Sequence, residues 1–250
     1  MKPLTFLFMA VIFLPLLSAC SMGLYPPAPS QITPSGKLVS EIRNPGEFKG
    51  IEFRTAGSLV IKTGDQQSIV IRGSDNVVPL VKTRVLGGVL VIEMEDNVNI
   101  QAVNKNSMLN VNITLNDLSS LTISGLGSVD ISELETQSLK LVMSGAGTIN
   151  LHNLSVDHLD VVVDGLGNVT LSGIAADCRV EISGAGHVNA GKLKCQTAEA
   201  DIPGLGSAIL WVTERISGEI SGSGSVQYFG LPEKKTRTTG LGSFVPLGAR

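Results

Sequence analysis

At 250 residues the chain has room for one or two domains and a sizeable core. Charged residues make up only 16% and there are 28 glycines, which fits a β-rich solenoid better than a helical or disordered protein. The net charge of −3 carries no basic excess, so no nucleic-acid partner is expected.

The N-terminus opens with Lys2, an apolar run from Leu4 to Leu17, and then Leu17-Ser18-Ala19-Cys20. A basic start, an apolar core and small residues before a cut read as an export signal over residues 1–19. The run is shorter than the ~20 apolar residues of a bilayer span. Cysteine directly after Leu-Ser-Ala resembles the bacterial lipobox, which implies acylation of Cys20 and a membrane anchor there. Ser21 at the next position resembles lipoproteins sorted to the outer membrane, on its periplasmic face or at the cell surface. Residues 20–37 are proline-rich and read as a tether unable to form a core.

From 38 to 120 the chain alternates at period two. Ile51, Phe53, Leu59, Ile61, Ile69, Ile71, Leu90, Ile92 and Met94 are expected on one face, with Thr55, Lys62, Arg72 and Glu93 on the other. Gly87-Gly88 reads as a hairpin turn, since both residues can take positive φ. Asp96 to Asn106 is polar and asparagine-rich and reads as a loop.

Residues 121–250 are organised by a repeat. Ser124-Gly125-Leu126-Gly127 recurs as Ser144-Gly145-Ala146-Gly147, Asp164-Gly165-Leu166-Gly167, Ser183-Gly184-Ala185-Gly186, Pro203-Gly204-Leu205-Gly206, Ser221-Gly222-Ser223-Gly224 and Thr239-Gly240-Leu241-Gly242. The spacing of 18 to 20 residues marks a repeat architecture. Before each pair stand alternating apolar residues, such as Leu139, Leu141 and Met143; after it stand others, such as Ile149 and Leu151. Leu134, Leu154, Ile174 and Leu193 add a further apolar position. The pattern predicts an all-β protein: a right-handed parallel β-solenoid of about seven coils, preceded by a β-rich half with hairpins. Each coil is expected to hold two short strands joined by the Gly-x-Gly bend and closed by a looser loop. Glycine suits the bend through φ > 0 and through close approach of coils. Between the glycines, large residues (Leu126, Leu166, Leu205, Leu241) alternate with small ones (Ala146, Ala185, Ser223), which reads as coil packing on coil, with a recognition stripe as the alternative. The final coil breaks the apolar rule with Lys234, Thr236 and Thr238 and reads as a cap; a basic docking site of Lys234, Lys235 and Arg237 is the rival.

Cys178 and Cys195 fall at different distances from their glycine pairs, which argues against a bridge and for two small apolar core residues. An oxidising compartment would still permit one.

Phe48-Lys49-Gly50-Ile51, the hairpin strand Val89-Leu90-Val91-Ile92 after Gly87-Gly88, and Leu118-Ser119-Ser120-Leu121-Thr122-Ile123-Ser124-Gly125, together with the Ser-Gly-x-Gly coils, resemble the head GIN domain family of auto-transporter adhesins. The resemblance implies a β-solenoid at the cell envelope with an adhesive or structural role. It brings no catalytic residues.

The glycine pairs are followed by strands and lack the third glycine and helix of a dinucleotide loop. His152, His158 and His187 share no metal-ligand spacing, and no cofactor or catalytic set is expected. Two outward features stand out. Glu181, Asp201 and Glu219 would lie on successive coils as an acidic stripe, the arrangement of a carbohydrate-active enzyme or a solvated face neutralised by Arg179 and Arg237. Trp211, Phe229 and Leu247 would stack as an apolar strip suited to a glycan, an envelope protein or a second copy, unless the shortened coils turn them inward. The leading expectation is a non-catalytic, lipid-anchored envelope protein binding on the solenoid wall.

Overall fold

The computed structural model describes residues 29–101 and 109–250. The signal segment, Cys20 and residues 21–28 of the tether lie outside the described residues. The repeats stack as a parallel β-solenoid of about six turns over residues 120–248. Seven corners bound six turns, so the sequence count overshoots by one.

The four middle turns are each one long strand, whereas the first (Gly127–Ile131, Leu134–Met143) and the last (Ser225–Phe229, Glu233–Thr238) keep the two short strands expected. Thr148–Val163 pairs in parallel with Asn168–Ile182, that strand with His187–Asp201, and that with Ser207–Ile220. The expected closing loop is absorbed into the pairing through bulges, at Leu151/Leu154, Thr170/Ser172 and Ala190/Lys194. The predicted inward columns form the core: Leu139, Leu141, Met143, Val161, Val163, Val180 and Ile182 are buried. Ile174 is a correction. Gly173 takes φ +132°, pairs with Leu154 and Leu193, and turns Ile174 out to solvent.

At the corners the glycines serve one of their two predicted purposes. None has φ in the left-handed region. A Cβ on Gly145 would stand 2.1 Å from the Gly125 oxygen, and one on Gly165 would stand 2.0 Å from the Gly145 oxygen. Only glycine admits that backbone approach. The corners continue the ladder: Ala146 N–H donates to Gly125 C=O at 3.3 Å, Leu166 N–H to Gly145 C=O at 3.2 Å, and Leu241 N–H to Gly222 C=O at 2.9 Å.

The residue between the glycines points away from the core. Leu126 is 67% exposed, Leu166 69%, Leu205 70% and Leu241 91%. Interdigitation of coils is therefore overturned, because the corner backbones already touch and leave no space between coils for a leucine. What remains is an apolar ridge on the outer edge.

The N-terminal half extends the stack. Gly50–Phe53 pairs in parallel with Ser120–Ile123 and with Val89–Met94; Gly57–Thr63 pairs with Gly127–Ile131 and Asn110–Leu115. Antiparallel strands cover these layers. Ser68–Ser74 lies against Asn110–Leu115, Leu38–Arg43 lies against Ser68–Ser74, and Val81–Leu86 returns on Val89–Met94 through Gly87-Gly88 at φ +57° and +79°. The predicted inner face is buried except for half-buried Met94. Thr55, expected outside, is buried at the corner beneath Gly125, where the coils are too close to leave it solvated. The predicted loop from Asp96 contains a strand, Val98–Ile100, which pairs in parallel with Ser30–Ile32 near the end of the proline-rich segment.

Cys178 and Cys195 are joined by a disulfide, with Cα atoms 6.1 Å apart. This corrects the argument from glycine spacing. Cys195 pairs in register with Ala175, three places before Cys178. On straight strands that offset would separate the Cα atoms by about 11 Å. The chain turns between them, and both side chains meet in the core.

Candidate functional site

The wall before the corners carries paired charge. Lys140, Asp160, Arg179 and Glu199 follow one another in register on successive coils. Lys140 Nζ lies 3.0 Å from Asp160, and Arg179 lies 3.1 Å from Glu199. Opposite charges thus alternate up the stack as a ladder, which fixes coil register. His158 Nδ1 stands 3.1 Å from Asp177, which also accepts a hydrogen bond from Thr197 Oγ1 at 2.6 Å. Between these columns runs a shallow groove of about 390 Å³, floored by Leu159, Cys178 and Ala198.

The acidic stripe forms in register but is occupied by its neighbours. Glu181 pairs with Asp201 across the ladder. Arg179 reaches Glu181 at 3.8 Å, Asp201 at 3.5 Å and Glu199 at 3.1 Å. Asp201 accepts the Glu219 backbone N–H at 3.0 Å, and Glu219 accepts Thr239 Oγ1 at 2.7 Å. Arg237 stands in register beside Glu219. One guanidinium thus serves three carboxylates, which ties the stripe into the ion pairs of the wall and leaves it a net acidic surface. Among the described residues no group of three or more His, Cys, Asp or Glu could hold a metal ion.

A second polar cluster marks the junction of the two halves. Lys49 Nζ lies 2.8 Å from Asp117, which also accepts Thr136 Oγ1 at 2.9 Å. The Lys49 hydrogen bond, then that of Thr136, holds the Asp117 carboxyl below its ordinary range; the same bond raises Lys49.

The aromatic strip is incomplete. Trp211 and Phe229 pair in register and are both half-buried. Leu247 falls out of the column: the register slips after Tyr228 and Phe229 pairs with Gly248. Two cations that the repeat spacing does not reveal complete the surface. Lys194 pairs with Trp211 across the bulge and holds its ammonium 6.0 Å from the indole centre. The Arg250 guanidinium lies 5.1 Å from the Trp211 ring and 5.0 Å from the Phe229 ring. Counting from the glycines pairs Trp211 with Gly191 and so hides Lys194. The shortening of the coils from 20 to 18 residues is the one sign in the chain that the register shifts there. The result is a shelf of two aromatic faces bordered by two cations on an otherwise acidic chain. Such a shelf can stack on the C–H faces of sugar rings and pair with their carboxylates.

Residues 47–232 match the family described as "Putative auto-transporter adhesin, head GIN domain". The chain belongs to this family. The GIN-domain fold it shares is found in a solved structure of a "putative adhesin" from Bacteroides fragilis, at 28% identity and TM-score 0.82, covering 86% of this chain and 100% of that one. A "putative lipid binding protein" from Parabacteroides distasonis is similar at 19% identity and TM-score 0.70, covering 87% and 100%. A "putative adhesin" from the same species is similar at 17% and 0.67, with coverage of 87% and 100%. These last two share the fold alone. No curated protein is significantly similar to this chain in sequence. Membership in an adhesin family implies a location at the cell envelope or surface.

Proposed function

We propose that this GIN-domain protein is a non-catalytic envelope adhesin, lipid-anchored at Cys20 in the outer membrane, that binds an acidic glycan on the Trp211–Phe229 shelf. The observation that carries the reading is the pairing of the two half-buried rings with Arg250 across both and Lys194 beside Trp211. Rings alone would favour a neutral sugar. The two cations select a uronate-type polymer, because carboxylates pair with them while the ring C–H faces lie on the aromatics.

Trp211 is the single tryptophan of the chain and reports directly on the shelf. Titration with polygalacturonate is expected to shift and quench its emission, and a neutral glucan to do so at least about tenfold more weakly. Arg250→Ala should remove the preference, and Phe229→Ala the binding. Unchanged Trp211 emission across a panel of acidic polysaccharides defeats the proposal. Polysaccharide cleavage by the parent, abolished in a Glu181→Ala, Asp201→Ala, Glu219→Ala variant, would replace it with the enzymatic reading. Incorporation of a labelled fatty acid, lost in Cys20→Ser, checks the anchor separately.

A further inference from the structure

An apolar feature of the surface that the shelf does not use is the corner ridge. Leu126, Leu166, Leu205 and Leu241 stand on alternate coils, each two-thirds exposed or more. Alternate coils place them about 10 Å apart along a line of roughly 30 Å. The flanks of this line are nearly free of charge. From the residue before the first glycine to the residue after the second, the seven corners hold one carboxylate, Asp164, and one histidine, His187; the rest are Ser, Thr, Asn, Pro, Gly, Ala and Leu. Asp164 accepts Ser183 Oγ at 2.5 Å, and His187 is paired with Ser207 Oγ at 2.7 Å. A few residues back along the same coils stand Lys140, Asp160, Arg179 and Glu199. Nearer the corner, two residues before it, stand Glu181, Asp201 and Glu219 of the acidic stripe, so the uncharged edge is the corner itself.

The described N-terminal segment begins near this edge. Val89–Met94 and Asn110–Leu115 pair with the strands on either side of the Arg54–Ala56 corner, so the first ends and the second begins beside that corner. Val98–Ile100 follows Val89–Met94 after three residues, and Ser30–Ile32 is paired with it. Ser30 N–H donates to Asn97 C=O at 2.7 Å, and Asn76 Nδ2 to Thr33 C=O at 2.9 Å. Residue 29, where the described chain begins, therefore lies near the edge that carries the leucines. Between Cys20 and residue 29 even a fully extended chain reaches only about 30 Å.

We propose that the corner ridge docks on the membrane surface: the four leucines enter the headgroup–acyl boundary of a zwitterionic leaflet and lay the solenoid axis along the bilayer. This rests on the Cys20 anchor proposed above, which brings the edge within reach. Uncharged hydroxyl flanks suit phosphocholine or phosphoethanolamine headgroups, and a row of single leucines inserts shallowly, as interfacial elements do. A second copy fits less well. A line one side chain wide covers well under the roughly 1,200 Å² of a stable protein interface. Docked in this way, the shelf and the charged wall stay clear of the ridge and open to partners.

The test uses the full chain. Lipidated protein carrying Trp211→Phe and Leu166→Trp is reconstituted into phosphatidylcholine–phosphatidylethanolamine vesicles with brominated acyl chains. The introduced tryptophan is expected to shift to the blue and be quenched, while Trp211 of the parent is not. In a Cys20→Ala chain, replacing the four leucines by serine should weaken vesicle flotation by at least about tenfold, with the urea midpoint unchanged. An anchored protein whose introduced tryptophan stays unquenched overturns the docking and leaves the anchor standing. A parent that carries no acyl group removes the anchor; the flotation arm then decides the ridge, and equal flotation of the leucine and serine chains overturns it. A concentration-dependent dimer lost in the serine variant, without quenching, assigns the edge to a second copy and likewise overturns the proposal.

Discussion

The corner edge and the charged wall are built by the same hydrogen-bonded strands, yet they use their surfaces oppositely. On the wall, outward columns are filled with side chains that find partners on the next coil, as Lys140 does with Asp160 and Arg179 with Glu199. At the corner, backbone meets backbone, the glycines leave no room for a side chain, and the leucines between them project into solvent. The wall is thus held by pairs that can be lost singly, whereas the corner is held by an approach that no substitution can mimic. Mutations should separate these two modes.

The largest effect is expected at the corner backbone. A Cβ at position 165 would lie 2.0 Å from the Gly145 oxygen, inside any permissible contact. Gly165→Ala must push neighbouring coils apart along the ladder and should cost more than about 4 kcal/mol, enough to stop folded protein from accumulating. Urea unfolding within ~0.5 kcal/mol of the parent would show that the corner is not limited by contact. Next comes the disulfide, which joins residues 17 apart in the chain. The Cys178→Ala, Cys195→Ala pair is expected to lose about 3 kcal/mol, most of it by freeing the unfolded chain. A midpoint unmoved by reduction would show that the coils are already held without it.

On the wall the expected effects are smaller. Arg179→Ala leaves Glu181, Glu199 and Asp201 facing one another without their shared cation. Because all four groups are partly in water, the loss should be about 1 kcal/mol at low salt and should shrink as salt screens the carboxylates. A loss independent of salt would point instead to packing of the Arg179 stem. At the junction, Asp117 gives a pH signature. Its carboxyl is held below the ordinary value by Lys49 and Thr136, so its contribution is full above the unfolded value of about 3.9 and is lost as pH falls through the lower, folded value. Parent and Asp117→Asn should therefore differ by some ~0.5 kcal/mol at neutral pH and converge in acid, a difference that urea midpoints at pH 7 and pH 3 would detect. A constant offset would remove the carboxylate from the explanation.

Much of this was legible in the chain itself. A glycine pair every 18 to 20 residues and apolar residues alternating around it specify a stack of coils, and the buried columns fall where that pattern puts them. What could not be read is what depends on where the chain bends. A bend brings Cys178 to Cys195, a bulge between Leu151 and Leu154 sets Gly173 beside Leu154 and turns Ile174 outward, and another sets Lys194 rather than Gly191 beside Trp211. Each is a shift of one to three residues, too small to leave a mark in composition yet enough to reverse a side chain. The pairing of Ser30–Ile32 with Val98–Ile100 was hidden for another reason: each segment is three residues long, too short for alternation to announce a strand, and Val98–Ile100 sits in an asparagine-rich stretch.

The alternation of leucine and alanine along the corners is the sharpest of these ambiguities, because two structures explain it equally well. Leucines that packed one coil on the next would be core residues, and each truncation to alanine would cost about 2–5 kcal/mol. Leucines on an outer ridge have little to lose on truncation. With Leu166 69% exposed, Leu166→Ala should change the unfolding free energy by less than ~0.5 kcal/mol, and alanine at 166 would match the residues already found at 146 and 185. This is the smallest effect expected anywhere on the stack, one residue from the largest. If Leu166→Ala instead destabilised the protein as a core substitution does, the corner would be a packed seam, the contrast with the wall would collapse, and the ridge would have nothing left to offer a membrane. If the measurements at 165 and 166 diverge as expected, the corner holds the fold through its backbone and leaves its side chains to function.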